Sequence, residues 1–474
     1  MSIDAVTALN RFGLGARPGD LARVASDPRG ALKAELQPDR ALVPAGGEDG
    51  LAGTSANIQA SFVADEARKR LREAQAVSRN VLLPSAMTAG GATAEKPEPQ
   101  PELRIYRAEA LARFGMARDA EIGFVERLAA FWSNHFCVSA SKAPLLRASA
   151  GSFEREAIRP FVLGRFADML QAVERHPAML FFLDNVRSIG PESRAGGNGK
   201  RGLNENLARE IMELHTLGVG SGYSQADVTS LARVITGWTF AGREGRIGEP
   251  GAFTFNSAMH EPGDQMVVGH AYLGGGFGQG EAALNDLARH PATARHVATK
   301  LVRHFIADDP PPSAVDRIAT VFRQRDGDLR AVAAALVDLP EAWSPPSAKM
   351  RSPQDLLMAA ARLTGAKPAD PAPWLGVLRM LGQPLWEPPG PNGYPDTAAD
   401  WASPEAMKLR LDLAAQIAHG VKGFGIDGAP DPLALLDIAA GDALSPETRD
   451  AVTRAESREQ GLALALMSPE IQRR

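Results

Sequence analysis

The stretch Asn204–Gly220, NENLAREIMELHTLGVG, concentrates side chains that could do acid–base chemistry. Helical periodicity of about 100° per residue places Asn206, Glu210 and Glu213 on one strip beside the apolar stripe. Burial beside apolar groups shifts the proton affinity of a carboxylate, so Glu210 or Glu213 is a candidate general base. Arg209 lies at the edge of the strip and could clamp an anion or a carboxylate, and Asn206 could bind substrate.

A simpler interpretation of the same stretch is an ordinary surface helix capped by Asn204. Pairs such as Glu205–Arg209 and Arg209–Glu213 would each stabilise it by roughly 0.2–0.5 kcal/mol. A di-iron site needs Glu-x-x-His, which puts both ligands on one helix face. Here His215 lies about 140° from Glu210, so the spacing disfavours a ferritin-like centre.

Short polar motifs at the edges of apolar segments supply further candidates. His135 or His260 could partner the base, and Asp184 could act beside them. His176 and Asn185 could bind substrate. If these segments converge, they would form a site for acid–base chemistry or for an oxygen-ligated divalent metal. Each residue also has a structural interpretation: His135 as a core histidine, His176 at a helix C-terminus, and Asp184 and Asn185 at a turn.

One further predicted helix carries basic residues at helical spacing. His296, Lys300 and His304 lie near one of its faces and could contact an anionic group. A solvated basic face is the more ordinary interpretation of the same spacing.

Two loops are candidates for elements that close over a site. The stretch 382–396, GQPLWEPPGPNGYPD, is too rich in proline for a helix or a strand. Its residues Trp386 and Tyr394 could bind substrate as aromatic walls of a lid at 388–396, or the loop could be a rigid cover. The glycine-rich segment 190–202 has the composition of a mobile loop.

Composition excludes several classes of protein. The chain has 474 residues, 44% hydrophobic and 23% charged, as in ordinary globular proteins. The net charge of −4 gives no support to a nucleic-acid partner. Cys137 is the only cysteine, so an internal disulfide or a thiolate zinc site is excluded. No apolar run approaches the roughly 20 residues of a membrane helix, and no signal peptide begins the sequence, so we expect a cytoplasmic protein without membrane insertion.

The periodicity predicts a mainly α protein: a large multi-helix body of about fifteen helices with long Gly/Pro-rich loops. At most one short β-hairpin is expected, formed by 252–255 and 265–269. The expected organisation is an N-terminal helical segment 1–82, a flexible insertion 83–101, a central helical core 102–365 with the polar motifs, and a Pro-rich loop plus C-terminal helices 366–474, packed as one body.

Eight motifs in one order give the chain a resemblance to a known family. They are LNRFGLG (9–15), FWSNHF (131–136), HPAMLFFLDN (176–185), NENLAREIMELHTLG (204–218), DVTSLARVITGW (227–238), MHEPG (259–263), HPATARHVATKLVRHF (290–305) and GQPLWEPPGPNGYPD (382–396). In these the chain resembles the bacterial DUF1800 family, whose function is unknown. The resemblance implies a predominantly helical fold and a DUF1501-like protein as a candidate partner, because such proteins are often encoded beside family members. Many members carry export signals, and the resemblance brings no reaction with it.

Two functions from different classes fit the sequence. The first is an enzyme, hydrolase-like, with a carboxylate/histidine site and with or without a divalent metal; it predicts a concave pocket where three or more of the candidate groups meet. The second is a non-catalytic partner or assembly protein whose polar motifs form a structural network. It predicts full mutual pairing of those groups, no cavity and an exposed apolar patch.

Overall fold

The computed structural model describes residues 3–43, 50–81, 100–197, 202–344, 349–420 and 430–474. In these ranges the chain forms 23 α-helices and two small sheets, which confirms the mainly α class. The α-helices are α1 Ile3–Thr7, α2 Asp20–Val24, α3 Pro28–Ala34, α4 Thr54–Val81, α5 Pro101–Asp119, α6 Phe124–His135, α7 Pro144–Phe153, α8 Phe166–Arg175, α9 Pro177–Phe182, α10 Asn206–Glu210, α11 Gln225–Val234, α12 Phe277–Arg289, α13 Pro291–Phe305, α14 Pro312–Gln324, α15 Leu329–Asp338, α16 Pro353–Thr364, α17 Ala372–Met380, α18 Ala398–Trp401, α19 Pro404–Ala418, α20 Pro432–Ala440, α21 Pro446–Thr453, α22 Arg458–Met467 and α23 Pro469–Gln472.

Many of these helices begin with proline after a residue that caps the helix. Proline suits the first helical position because its missing N–H would have no intrahelical acceptor there. Before it, Ser352 and Ser403 accept hydrogen bonds from backbone N–H groups of the first turn. At the start of α11, Ser224 and Asp227 form a capping box, in which each side chain accepts from the backbone N–H of the other residue.

The strands pair differently from the predicted hairpin. β1 (Trp238–Phe240) pairs antiparallel with β2 (Phe253–Phe255), and β3 (Gln265–Val267) pairs antiparallel with β4 (His270–Tyr272). The expected pairing of 252–255 with 265–269 is therefore wrong. The two-residue turn after β3 has φ of 47° at Val268, a conformation that β-branched residues rarely adopt and that the sequence did not signal.

The helical stretch 206–215 changes from α-helical to π-helical winding. After α10, residues 211–215 form a π-helical turn. A π turn holds more residues than an α turn, so it rotates the side chains that follow. Of the apolar stripe, Leu207 and Ile211 are buried, but Leu214 is only half-buried and His215 is fully buried instead. The cap also differs, since Glu205 occupies the N-cap position while the Oδ1 of Asn204 accepts from the N–H of Asn206 at 2.9 Å.

One large apolar core runs from Ala5 in α1 to Leu413 in α19. A second apolar cluster joins α16 and α19 to the C-terminal helices, from Leu356 to Ile471. None of the described helices is both long and apolar enough to cross a bilayer. The division into four segments stays a prediction. The insertion 83–101 lies outside the described residues except for its last two, and so do residues 198–201 of the glycine-rich segment.

Candidate functional site

A cavity of about 370 Å³ is lined by residues of α5, α6, α13, α16 and the Pro-rich loop 382–396. Among the residues proposed from the sequence, it brings together His135, Trp386 and Tyr394. His304 and Lys300 of α13 also line it. Its volume is within the range of small-molecule sites, about 300–1,000 Å³.

The position of α6 depends on a carboxylate far away in sequence. The Glu35 side chain accepts hydrogen bonds from the backbone N–H groups of Ile122, Gly123 and Phe124 at 2.7–3.0 Å. These amides would otherwise lack partners at the start of the helix, where a negative charge is also favoured. The helix then runs to His135, its last residue, at the cavity.

His135 is a neutral acceptor held in one orientation. Its Nε2 lies 3.2 Å from the backbone oxygen of His215, and a carbonyl can only accept, so Nε2 carries the proton. Burial lowers the pKa of His135 well below its usual value, and the charges of Lys300 and His296 lower it further. Its Nδ1 has no hydrogen-bond partner among the described residues and is left as a lone-pair acceptor.

The helix α13 presents His296, Lys300 and His304 at successive turns of one face. His296 Nε2 lies 3.0 Å from the Leu214 carbonyl oxygen, and burial lowers the pKa of His296 to about 4. Burial also lowers the pKa of Lys300 to about 8. Because Lys300 and His304 line the cavity, the expectation of a solvated basic face is wrong for these two residues.

His304 and Asp396 form a hydrogen-bonded pair at the cavity. His304 Nδ1 lies 2.6 Å from Asp396 Oδ2. Burial lowers the pKa of His304 to about 4, whereas His304, Lys349 and Arg474 hold the pKa of Asp396 well below its usual range against its own burial. The carboxylate can only accept, so the neutral ring carries its proton on Nδ1. Its Nε2 has no partner among the described residues and can act as a base.

The Pro-rich loop is fastened to the helices around it. Asn134 donates to the backbone oxygen of Tyr394 at 2.9 Å and accepts from its backbone N–H at 2.8 Å. Gly393 makes this contact possible, because a Cβ there would lie 2.5 Å from the Asn134 backbone oxygen. Trp386 has φ of 49° and its Nε1 donates to Glu154 Oε2 at 2.8 Å. These contacts favour a rigid wall over a moving lid.

Glu154 belongs to a second buried cluster next to the cavity. Arg159 donates to both oxygens of Glu126 at 2.7 and 2.8 Å and to Glu154 at 3.0 Å. Arg113 donates to Glu154 at 2.9 Å, and Ser133 donates to it at 2.8 Å. Although burial raises the pKa of Glu154, the two guanidinium groups outweigh it and lower the pKa to about 2.

The structure places the predicted carboxylates of the central helix away from the cavity lining. Glu210 is half-buried, and desolvation raises its pKa. Glu213 interacts with the Tyr223 hydroxyl. Arg209 donates to Glu205 at 3.1 Å and to Gln225 at 3.0 Å, as in the surface-helix interpretation. The side chain of Asn206 is exposed.

Four other candidates hold separate parts of the fold together. Asp184 pairs with Lys142 at 3.0 Å. Asn185 donates to the backbone oxygens of residues 235 and 238 at 3.2 and 2.9 Å, and His260 Nδ1 lies 3.0 Å from the backbone oxygen of residue 236. His176 caps α9 by accepting from the N–H of residue 178. His176 is also the C-cap residue of α8, as its structural interpretation predicted, and burial lowers its pKa.

Sequence reasoning missed two of the closest polar contacts. His304–Asp396 joins the ends of two motifs that were noticed separately, and only the tertiary structure brings them together. His215 Nδ1 lies 2.8 Å from Glu174 Oε1, with both side chains buried in the core. The π turn buries His215, and α-helical periodicity does not reveal that turn.

No three His, Cys, Asp or Glu side chains of the described ranges converge closely enough to hold a metal ion. A divalent metal therefore gains no support from these residues. The groups that do meet in the cavity are a His–Asp pair, a neutral histidine acceptor and a lysine, which are suited to proton transfer and to binding an anion.

Comparisons with known proteins identify a family and nothing narrower. No curated protein and no solved structure matches the chain. The family model described as "Protein of unknown function (DUF1800)" matches residues 7–473, which include every segment of the cavity wall except Arg474. The chain therefore belongs to the DUF1800 family.

Proposed function

We propose that the protein is an enzyme, hydrolase-like, that carries out acid–base catalysis in the cavity beside α13. The observation that carries the proposal is the His304–Asp396 pair, with Nδ1 bonded to the carboxylate and Nε2 unpartnered among the described residues. In the proposed step His304 Nε2 takes a proton from a water molecule while the water oxygen bonds to the substrate. The same nitrogen then returns the proton to the leaving group.

Asp396 and His135 have distinct parts in this proposal. Asp396 fixes the tautomer of His304 and stabilises the imidazolium that forms transiently. His135 offers Nδ1 as a second acceptor at the cavity. Phe131 packs 5.4 Å from the His304 ring and limits its rotation. The sequence-based assignment of Glu210 or Glu213 as the general base is the rival assignment within the same proposal.

The test is a hydrolysis screen with activated esters, amides and phosphoesters. His304→Gln is expected to lose turnover by 100-fold or more, the usual contribution of a positioned base, while Glu210→Gln/Glu213→Gln keeps it. Loss in the glutamate variant instead would favour the rival assignment. Full turnover in His304→Gln would exclude the proposed base, and no turnover by the wild-type protein would count against a hydrolase.

The second candidate function is a non-catalytic partner or assembly protein. The observation that favours it is the pairing of Asp184, Asn185, Arg209 and His176 with groups of the fold itself. A DUF1501-like protein stays its proposed partner. Co-expression with such a protein, followed by size-exclusion chromatography, tests this candidate, because it predicts a stable complex that survives His304→Gln.

A further inference from the structure

Lys300 lies in the cavity wall and forms no direct ion pair with the described residues, although the Asp396 carboxylate acts on it at longer range. None of the described residues accepts a hydrogen bond from its ammonium group, whereas the buried Arg127 and Arg159 are paired with carboxylates. The Cys137 thiol nearby does not supply a charge, because burial raises its pKa to about 12. Tyr394 stays neutral as well, since burial raises its pKa. The Lys300 side chain is only partly exposed, and removing a cation from water without a direct partner is costly.

The acidic side chains that line the cavity already have cationic partners. Their ion pairs measure 2.7 Å for Glu126, 2.7 and 2.9 Å for Asp355, and 3.6 and 3.7 Å for Asp396. The wall carries an excess of positive charge, because Lys300 and Arg303 also line the cavity and form no ion pair with the described residues. The pairs are Glu126 with Arg159, Asp355 with Arg127 and Arg474, and Asp396 with Lys349 and Arg474.

The rest of the wall is suited to an apolar body. Phe131, Trp386 and Leu385 line the cavity together with Phe114 and Met358. A ligand that fills it needs one anionic end for the lysine and an apolar or aromatic remainder.

We propose that the cavity binds a small carboxylate with an apolar or aromatic body, and that the Lys300 ammonium pairs with the carboxylate. The inference deepens the proposed function and rests on it for the choice of site. Lys300 and His304 lie four residues apart on α13, so their side chains are neighbours on one face. A carboxylate at Lys300 places the adjoining atoms of the ligand beside His304.

A carboxylate fits better than a phosphate. Phosphate sites usually combine several donors with the N-terminus of a helix, where backbone N–H groups point at the anion. Lys300 lies in the C-terminal half of α13, and Arg303 Nε already donates to the Asp308 backbone oxygen at 3.3 Å. One unpaired ammonium group balances one carboxylate charge.

Calorimetric titration with matched ligands tests the inference. The probes are benzoate, phenylacetate and hexanoate, each with its neutral amide, and inorganic phosphate. We expect the wild-type protein to bind at least one carboxylate more tightly than its amide. Lys300→Met should weaken that carboxylate by roughly 10- to 100-fold, the usual effect of a lost charge-assisted contact, and leave the amide unchanged.

Lys408→Met is the matched control, because Lys408 is exposed and pairs with Asp412 on the surface. Lys300→Arg should keep part of the affinity, and circular dichroism checks that each variant is folded. The inference is overturned if no carboxylate binds at millimolar concentration, if acid and amide bind equally, if phosphate binds more tightly, or if Lys300→Met binds as the wild type does.

The proposed function can fail separately. His304→Gln is expected to keep carboxylate affinity while losing turnover. Binding that depends on Lys300 in a protein without hydrolytic turnover would support the inference and overturn the proposed reaction. Turnover that is lost in His304→Gln but unchanged in Lys300→Met would support the proposed reaction and overturn the inference about Lys300.

Discussion

The helix α6 contributes to two clusters of buried polar groups that differ in how their charges are balanced. In the first, the Glu154 cluster, Arg159 bridges Glu126 and Glu154, and Arg113 completes the pairing. In the second, the α13 face, Lys300 forms no direct ion pair among the described residues, and Asp396 acts on it only at longer range. Both are close to the same cavity, so burial alone does not distinguish them.

This difference in charge balance distinguishes a structural cluster from a candidate binding site. Desolvation of paired charges is offset within the fold, and removing one partner leaves the other buried and uncompensated. An unpaired lysine instead makes the fold less stable until a ligand supplies the charge. Groups with perturbed pKa values in a cleft are candidates for function on this ground. The Glu154 cluster therefore stabilises the structure, and the α13 face is the part of the cavity where we propose that a ligand binds.

The largest expected effect is that of Arg159→Met. The substitution leaves Glu126 and Glu154 buried without their shared cation, so the free energy of unfolding should fall by about 3–5 kcal/mol. Urea denaturation measures it. Arg454→Met, which removes an exposed pair with Asp450, should cost less than about 1 kcal/mol. Similar values for the two variants would remove the contrast between buried and exposed pairs.

Acid stability should depend on Glu154. Its pKa falls from 4.5 to about 2 in the folded protein, so the stabilisation is present above pH 4.5 and is lost as the pH falls towards 2. The loss over this window should be about 3 kcal/mol. Denaturation of Glu154→Gln at several pH values should show this part of the pH dependence missing. If the loss of stability at acidic pH were the same in Glu154→Gln as in the wild type, the pairing of Glu154 with Arg113 and Arg159 would be contradicted.

Lys300→Met should stabilise the fold, whereas Arg159→Met should destabilise it. Because the pKa of Lys300 is lowered from 10.5 to about 8, the protonated lysine destabilises the fold below pH 8, and this cost disappears between pH 8 and 10.5. Since the side chain is partly exposed, we expect a gain of only about 1–2 kcal/mol in the free energy of unfolding at pH 7. A loss of stability would show that Lys300 is structurally paired.

Carboxylate binding should weaken as the pH rises through about 8, where Lys300 loses its proton. Titration calorimetry at about pH 7 and about pH 9 should show roughly a tenfold loss of carboxylate affinity. A flat profile would point to another cation. The charged or titratable groups around the ammonium are Cys137, Asp396, Arg303, His135 and His296. The pKa values of Cys137, about 12, and His296, about 4, lie outside this range.

The smallest effect is expected for Glu210→Gln/Glu213→Gln. Both glutamates are only half-buried, and burial raises the pKa of Glu210, so its charge contributes no stability at neutral pH. The free energy of unfolding should change by less than about 1 kcal/mol. Elemental analysis alongside should show the same metal content as the wild type. A metal lost only in the variant would restore the central helix as a metal site.

The sequence predicted the elements whose signals are local. Helical periodicity, which depends only on residues close in sequence, predicted the mainly α class. The strand pairing failed because each strand has three residues, too few for alternation to show. The π turn at 211–215 could not be read from a pattern that assumes 3.6 residues per turn.

The site was only partly predictable, for a different reason. His135, Trp386 and Tyr394 could be proposed individually because they follow or interrupt apolar segments. The pairing of His304 with Asp396 spans 92 residues and depends on how the Pro-rich loop packs on α13. Whether a lysine lacks a counterion also depends on tertiary structure, since any acidic residue of the chain could have supplied one.

The carboxylate of Glu35 at the start of α6 has a consequence for the order of folding. It completes that helix from 87–89 residues away, so the helix gains its N-terminal cap only when a long loop closes. A local cap would let α6 stabilise itself early, whereas this one makes its stability conditional on docking of the N-terminal segment. Hydrogen exchange should therefore show α6 and the segment around Glu35 opening as one cooperative unit.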